Sequence, residues 1–393
     1  MTRRWPQVEY IEEGMREGMQ IESASIPVEN KVKLLDALSE TGLKRIVVGS
    51  FVSPKFTPQM TQIEELLQHF RPKAGVQYNA LVLNQQGVER AKFYSPPLTV
   101  TTDKWPRLMT HMCDVFARRN TNRSQFQEIS NWPKIVAQAQ ERGTKEAGIG
   151  VSAAWGSNFL GDFPVEYIMS MLAREHGLWD EAGIDVTSVY LFDPMSWCVP
   201  HKVEDVLTRI KEIWPQITHF KLHLHHARGM AVASAYAALR ALEPSDHLEL
   251  DGTIGGMGGC PYCGNGQVTA MCPTEDLIHM FEAMGIEMGV DLDKVIECVW
   301  MAEEMVGRPL YGHVSKAGVR PNTVDKLFDM NMPFVETPEQ ALHWKYGPKT
   351  YDGGIYPWRE PIQSPYRDRV ESGLPAYEPD GEWPWNNKEV YPI

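Results

Sequence analysis

The chain has 393 residues, of which 43% are hydrophobic and 23% charged, so a wholly disordered protein is excluded. Acidic residues outnumber basic ones 51 to 38, and the net charge of −13 argues against nucleic acid as a partner. No apolar run approaches the roughly 18 residues of a membrane-spanning helix, and no apolar segment follows the charged start. We therefore expect a cytoplasmic protein without a membrane span, whose six cysteines are thiols rather than disulfides.

Short β-like runs alternate with amphipathic stretches along the chain. The runs predict eight strands: Gln7–Glu12, Arg45–Ser50, Val76–Val82, Leu98–Thr102, Gly148–Ala154, Val186–Asp193, His219–His226 and His247–Asp251. The helical spacing of apolar residues predicts helices at Lys31–Thr41, Val165–His176, Val203–Trp214, Met230–Leu242 and Asp276–Met284. Because most strands are followed by a helix, the pattern indicates an α/β fold, a (β/α)₈ TIM barrel over residues 1–330. A doubly wound open sheet is the alternative.

The end of the chain has a different composition. From Phe334 to Ile393 there are nine prolines, four tryptophans and six tyrosines. Proline interrupts helices, whereas the many aromatic side chains argue against a disordered tail. We expect residues 331–393 to form an extended arm that packs on the barrel or on a neighbouring subunit of a homo-oligomer. A partly ordered terminus is the alternative.

A pair of histidines lies near the end of the seventh predicted strand. Successive side chains of a strand alternate between its two faces, so His223 and His225 point to the same side, and Lys221 joins them. Two imidazoles about 6–7 Å apart on one face can share one metal ion. Histidines that are hydrogen-bonded for structural reasons are the alternative.

The dipeptide Arg16-Glu17 follows the first predicted strand. In a TIM barrel, the loops that follow the strands gather at the catalytic end. A carboxylate there can complete a metal site with the histidines, and a guanidinium can stabilise an enolate. The alternative is a surface ion pair, which is the more common fate of such a dipeptide.

A glycine-rich loop, Gly255–Gln267, follows the eighth predicted strand. Glycines let such a loop approach a ligand closely, and Cys260 on it can donate a proton if its pKa is tuned. Cys260 and Cys263 also resemble half of a zinc knuckle, although only Cys272 is nearby to complete it. A disulfide between Cys260 and Cys263, acting as a redox switch, is a further alternative.

These motifs resemble those of the hydroxymethylglutaryl-CoA lyase family, within the DRE-TIM metallolyase superfamily. The resemblance spans residues 8 to about 316 and lies in five stretches that occur in family order. The stretches are Glu13–Glu22, Ser50–Met60, His223–His225, Gly258–Tyr262 and Thr274–Leu277. Agreement at all five is specific, and the tail after Pro333 is not covered.

The resemblance implies a (β/α)₈ barrel with a bound Mg²⁺ or Mn²⁺, Zn²⁺ being the less favoured ion. It also implies a coenzyme A thioester as the substrate, a 3-hydroxy-3-alkyl acyl-CoA that is cleaved by a retro-Claisen step. In that step a base removes the hydroxyl proton, the carbon–carbon bond breaks, and the resulting thioester enolate is protonated.

The resemblance also assigns roles to individual residues, in three groups. The implied metal ligands are Glu17, His223, His225 and, as the candidate for a fourth, Asn265. The implied catalytic groups are Arg16, which stabilises the enolate, Cys260, which delivers the proton, and His223. The implied substrate contacts are Gln20, Arg308 and Lys316, the last two at the nucleotide end of coenzyme A. For Arg308 and Lys316 an ordinary solvated loop is the alternative.

The chain departs from the family's pattern at several positions around the acyl portion of the site. Glu17 stands where the family has aspartate, Val47 where it has glutamate, His226 where it has aspartate and Arg228 where it has tyrosine. The cysteine loop is longer, which leaves Asn265 as the only nearby asparagine. We therefore expect a lyase with an altered substrate. A Claisen condensing enzyme or aldolase on the same barrel and a non-catalytic relative are the alternatives.

Overall fold

The structure is a computed structural model that describes residues 5–52, 57–82, 85–99, 105–264, 269–333 and 360–376. The chain divides into two compact units, Met1–Val319 and Arg320–Ile393. All residues with a predicted catalytic, metal-binding or substrate-binding role belong to the first unit.

Eight parallel strands form one sheet in the first unit. They are β1 (Gln7–Glu12), β2 (Arg45–Ser50), β3 (Gln77–Leu81), β4 (Arg107–His111), β5 (Glu146–Ser152), β6 (Asp185–Asp193), β7 (His219–Leu224) and β8 (His247–Gly252). Neighbours follow the order β3-β2-β1-β8-β7-β6-β5-β4, which is the chain order taken around a barrel. No ladder joins β3 to β4 within the described residues. The predicted (β/α)₈ barrel is confirmed.

The fourth strand of the sheet lies later in the chain than predicted. Of the two described residues of Leu98–Thr102, Leu98 forms a bridge to Tyr78, and residues 100–104 lie outside the described part. The two residues before this segment are prolines, which lack the N–H groups that a ladder needs. The true strand, β4, buries only Leu108 and Thr110. Because one of these two is polar, β4 gives little apolar signal in the sequence.

Helices follow the strands and cover the outside of the sheet. They are α1 (Val28–Ser39), α2 (Ile63–His69), α3 (Gln85–Lys92), α4 (Asp114–Thr121), α5 (Gln125–Ser130), α6 (Trp132–Glu141), α7 (Val165–Glu181), α8 (Pro200–Ile213), α9 (Ala231–Ala241), α10 (Thr274–Ala283), α11 (Leu292–Val306) and α12 (Val314–Ala317). The five predicted helices correspond to α1, α7, α8, α9 and α10. None of the described helices has the length and apolar character needed to cross a membrane.

The apolar core lies between the helices and the outer faces of the strands. Leu35 and Leu38 of α1 and Ile46 and Val48 of β2 belong to it and are buried. Burial of such side chains contributes roughly 1.5–3 kcal/mol each, which fixes the helices on the sheet. The register of the strands then decides which polar residues meet inside the barrel.

The inner positions of β7 and β8 are polar rather than apolar. The ladder places Lys221 opposite Glu249, and His223 opposite Asp251. In most TIM barrels these inner layers are filled by bulky apolar side chains. These inner side chains therefore place charged groups toward both ends of the barrel.

The second unit is described at residues 320–333 and 360–376. It contains a 3₁₀ turn, Val324–Lys326, and α13 (Pro365–Glu371). Within this unit, Arg367 donates a hydrogen bond to the carbonyl oxygen of Phe328 across 2.9 Å. The tryptophans of the predicted arm lie outside the described residues, so the arm stays a prediction. They are Trp344, Trp358, Trp383 and Trp385.

Candidate active site

The turn after β1 presents two acidic groups around one guanidinium. Residues Gly14–Gly18 form a π-helical turn. Arg16 lies between two carboxylates, because its Nη2 is 2.5 Å from Glu13 Oε2 and its Nη1 pairs with Glu17 Oε2. Gln20 donates a hydrogen bond to Glu17 Oε1 across 2.9 Å. The turn and Gln20 thus hold the Glu17 carboxylate from two sides.

The two histidines lie together at the carboxyl end of β7, as the alternation of strand side chains predicts. Their Nε2 atoms are 3.1 Å apart. With Glu17 they form the one group of three potential metal ligands found among the described residues, and the ligand atoms all lie within 4.8 Å of one another. Residues that are more than 200 positions apart in the chain are therefore brought to one point.

Asp251, near the end of β8, orients His223. Its Oδ1 is 2.7 Å from His223 Nδ1, so Nε2 faces His225. Burial by itself would lower the pKa of His223, but the negative charge of Asp251 outweighs it and raises the pKa to about 9. Burial and the neighbouring His223 lower the pKa of His225 well below its usual value. The Nδ1 atom of His225 is buried and has no hydrogen-bond partner within the described residues.

This donor set fits a divalent cation. Two nitrogens bound to one ion at about 2.1 Å and at right angles lie about 3 Å apart. The Nε2 atoms of His223 and His225 are 3.1 Å apart. A mixed imidazole and carboxylate set suits several divalent ions. The low pKa of His225 keeps that ligand neutral, whereas His223, with its pKa raised to about 9, has to release its proton when an ion binds. The predicted fourth ligand, Asn265, lies outside the described residues.

The glycine-rich loop after β8 packs closely on the turn after β1. Gly258 has a φ of +96°, and a Cβ at this position would lie 2.4 Å from the carbonyl oxygen of Glu17. Only glycine fits this close approach. Gln20 reaches the Gly259 carbonyl oxygen across 3.4 Å, and Cys260 is the next residue. The loop therefore brings Cys260 close in sequence to the contacts with Glu17 and Gln20.

The cysteine pair of this loop forms no disulfide in the structure, and all six cysteines are free. A hydrogen bond with Cys260 and burial raise the pKa of the Cys263 thiol. Cys263 Sγ donates to the carbonyl oxygen of Pro194 across 2.9 Å. Cys272 is not grouped with the pair as a metal ligand within the described residues. The described residues therefore do not complete a zinc knuckle with Cys260 and Cys263.

The predicted coenzyme A contacts, Arg308 and Lys316, are not part of the histidine cluster. Arg308 pairs with Glu22, and Lys316 donates to two carbonyl oxygens of the preceding turn, across 2.6 and 3.1 Å. The backbone of Tyr311 between them is bonded to Gly255 across 2.8 Å, so the segment borders the cysteine loop. Their contact with coenzyme A stays a prediction.

Two carboxylates of the site have no role in the sequence-based interpretation, Glu13 and Asp251. Glu13 directly follows β1, whose last residue, Glu12, pairs with Ile46 of β2, the residue before Val47. Burial raises the pKa of Glu13, although Arg16 opposes this effect. In the sequence, only the position of these two carboxylates points to a role, since each lies at the carboxyl end of a predicted barrel strand.

Comparison with known proteins decides the family. The family model described as HMGL-like matches residues 7–301, which is more than half of the chain. The chain belongs to the HMGL-like family. This family is that of the hydroxymethylglutaryl-CoA lyases in the DRE-TIM superfamily, as the motifs predict.

Individual members of the HMGL-like family are similar over most of the chain. The hydroxymethylglutaryl-CoA lyase of Bacillus subtilis is 31% identical over 76% of this chain and 93% of its own length. The (R)-citramalyl-CoA lyase of Chloroflexus aurantiacus is 28% identical over 81% of this chain and 97% of its own length. The solved HMG-CoA lyase of A. baumannii, in complex with coenzyme A and 3-methylmalate, has a TM-score of 0.63 and 25% identity, covering 80% of this chain and 96% of that one. The predicted enzyme class, a carbon–carbon lyase for an acyl-CoA, is confirmed at the level of this family.

Proposed function

We propose that the chain is a metal-dependent lyase that cleaves a 3-hydroxy-3-alkyl acyl-CoA, with an acyl group other than that of hydroxymethylglutaryl-CoA. The observation that carries this proposal is the convergence of Glu17, His223 and His225 beside Arg16. The relatives named as lyases of two different acyl-CoAs support the reaction class.

Glu17, His223 and His225 would hold a Mg²⁺ or Mn²⁺ ion. Such an ion acts as a Lewis acid on the oxygens of the substrate. The protein's part is to present the donors in fixed positions. Asp251 fixes one imidazole, while Arg16 and Gln20 fix the carboxylate of Glu17.

Glu13 is the group that we assign to removal of the hydroxyl proton. Its carboxylate is buried beside Arg16. The residue before it, Glu12, pairs with Ile46, the residue before Val47, where the family has glutamate. Once the hydroxyl is deprotonated, its electron pair forms the carbonyl of one product, and the pair of the broken carbon–carbon bond passes to the thioester enolate. Arg16 stabilises the enolate charge, and the thiol of Cys260 returns a proton to carbon.

The altered substrate is supported by the residues that follow the histidine pair. Arg228 donates to the carbonyl oxygen of Met195 and to Asn158 Oδ1, across 2.5 and 3.0 Å. Its guanidinium also lies 5.5 Å from the ring of Trp197. The tyrosine of the family is thus replaced by a cation anchored on the loops after β5 and β6, which changes the shape and charge of this rim.

A panel of 3-hydroxy-3-alkyl acyl-CoAs tests the proposal. The full chain is incubated with each compound and Mg²⁺ or Mn²⁺, with a parallel reaction in chelator, and products are read by mass spectrometry. We expect a shorter acyl-CoA to appear only with metal, from a compound other than hydroxymethylglutaryl-CoA. Conversion of no member of the panel would overturn the lyase assignment, and conversion that survives the chelator would remove the metal from it.

A further inference from the structure

A cavity of about 520 Å³ lies at the amino-terminal end of the barrel. Its lining includes the first residues of five strands, Arg45, Gln77, Arg107, His219 and His247. The candidate active site lies at the opposite end, where TIM-barrel chemistry is found. The volume falls in the range of small-molecule sites, roughly 300–1,000 Å³.

Two glycines of β5 lie against Tyr190, a residue of the cavity wall. A Cβ on Gly148 or on Gly150 would lie 2.7 Å from atoms of Tyr190. The two glycines therefore leave room for the Tyr190 ring, which lines the cavity. Two larger residues on β5 would push this ring toward the cavity and fill part of it.

The acceptor groups of the cavity wall are already occupied. Arg45 Nη1 lies 3.1 Å from Glu9 Oε1 and 3.0 Å from Glu249 Oε2. His247 Nε2 lies 3.2 Å from the other oxygen of Glu9, and Lys221 Nζ lies 2.5 Å from the other oxygen of Glu249. All four carboxylate oxygens thus have a cationic or imidazole partner.

Donors, in contrast, are left over. Arg45 uses Nε for Asn79 and Nη1 for the two carboxylates, which leaves Nη2 without a partner within the described residues. Ser188 also lines the cavity, is only 2% exposed, and has a buried Oγ without a hydrogen-bond partner there. A buried hydroxyl that makes no hydrogen bond costs free energy, and an acceptor-rich ligand removes that cost.

Aromatic rings form the rest of the wall. The rings of Trp105 and His219 meet edge to face with centroids 4.8 Å apart, and the rings of His219 and His247 are 5.5 Å apart. Tyr190 adds a fourth ring. Such walls favour a flat, unsaturated body over a compact hydrated ion.

We propose that this cavity binds a small aromatic or unsaturated monocarboxylate. The carboxylate accepts hydrogen bonds from Arg45 Nη2 and Ser188 Oγ, and the planar body lies against the aromatic wall. The site is separate from the metal cluster and does not depend on the lyase reaction.

Titration calorimetry of the full chain with benzoate, in the presence of chelator, tests the proposal. Two matched probes separate its parts: benzamide lacks the charge, and acetate lacks the ring. We expect saturable binding of benzoate, and binding at least about tenfold weaker for each of the other probes. Absence of saturable benzoate binding, or equal binding of benzamide, would overturn the proposal.

Two variants locate the bound probe. Ser188→Ala removes an unpartnered hydroxyl, so it should leave stability intact and weaken benzoate binding about tenfold. Gln77→Trp should fill the cavity and abolish binding. His225→Ala, at the other end of the barrel, should leave benzoate binding unchanged. Benzoate binding that is unaffected by Ser188→Ala, or that is lost in His225→Ala, contradicts the proposed location.

Discussion

Two glutamates of β1 lie toward opposite ends of the barrel, and their pKa values are shifted in opposite directions. A hydrogen bond with His247 and the charge of Arg45 lower the pKa of Glu9 to about 2, although burial opposes them. Burial raises the pKa of Glu12 to about 8, even though it accepts hydrogen bonds from two backbone N–H groups and from Thr274. At the amino-terminal end acids are compensated by cations, whereas Glu12, at the carboxyl-terminal end, has no cationic partner among the described residues.

The same contrast holds inside the barrel, where Lys221 connects the two ends. Its Nζ lies 2.5 Å from Glu249, on the cavity side, and 3.8 Å from Asp251, on the side of the metal cluster. Asp251 in turn holds His223. The charges below Lys221 pair with one another, whereas three potential metal ligands converge above it. This difference supports the proposal that the carboxyl-terminal end of the barrel binds a metal ion.

The largest expected effect tests the metal cluster. Replacement of His225 by alanine removes a nitrogen that lies 3.1 Å from its neighbour, so it should abolish Mn²⁺ binding and metal-dependent turnover. Electron paramagnetic resonance of free Mn²⁺ and an acyl-CoA assay measure the two effects. Circular dichroism checks that the fold persists.

A histidine outside the barrel interior serves as the control for this change. His176 of α7 stacks on Trp214 with ring centroids 4.9 Å apart. The substitution His176→Ala should keep both Mn²⁺ binding and turnover. Full activity of His225→Ala, or equal loss in His176→Ala, would contradict the proposed metal site.

The second prediction concerns the proton donor. The substitution Cys260→Ala should lower kcat about 10²–10⁴-fold, the usual contribution of a positioned acid, while Mn²⁺ affinity stays unchanged. The substitution Cys263→Ala removes the hydrogen-bonded neighbour and should have a much smaller effect, because Cys263 is buried under the carbonyl of Pro194. If both variants lose activity equally, the cysteines shape the loop and neither donates the proton.

The sequence predicts the parts of this site that depend on geometry within one strand, and not the parts that depend on the register between strands. The alternation of a strand by itself places His223 and His225 on one face, and the structure has them there. The contact of Asp251 with His223, and the pairing of Glu12 with Ile46 just before Glu13, depend on the register between neighbouring strands. No local pattern specifies that register, so these partners became visible only in the folded barrel.

The third prediction separates the two glutamates of β1. In the unfolded chain Glu12 ionises with a pKa near 4.5, whereas in the folded chain burial raises the pKa of Glu12 to about 8. Its stabilising contribution is therefore complete below pH 4.5 and is lost as the pH rises to about 8, at up to about 1.4 kcal/mol per pH unit. The substitution Glu12→Gln should flatten this fall in the free energy of unfolding, measured by urea denaturation.

Glu9→Gln is the matched variant at the other end of the strand. Because the pKa of Glu9 is lowered to about 2, its contribution is present above 4.5 and is lost as the pH falls toward 2. This substitution should change only the acid side of the stability profile, and by less, since the Glu9 side chain is 38% exposed. If the free energy of unfolding depended on pH in the same way in both variants, the contrast between the two ends of the barrel would be contradicted.

The smallest expected effect asks how far the carboxyl-terminal site extends. If Lys316 meets the nucleotide end of coenzyme A, Lys316→Ala should raise the KM for an acyl-CoA about fivefold and leave kcat unchanged. Lys294→Ala is the control, because the two lysine side chains are equally exposed, at 51% and 50%. The increase should also shrink at high salt, since an exposed ammonium–phosphate contact is screened.

Lys316 already donates to two carbonyl oxygens, so its ammonium is held in place before any substrate arrives. An unchanged KM would mean that this ammonium stabilises the turn instead, and that the acyl portion alone accounts for recognition at this end.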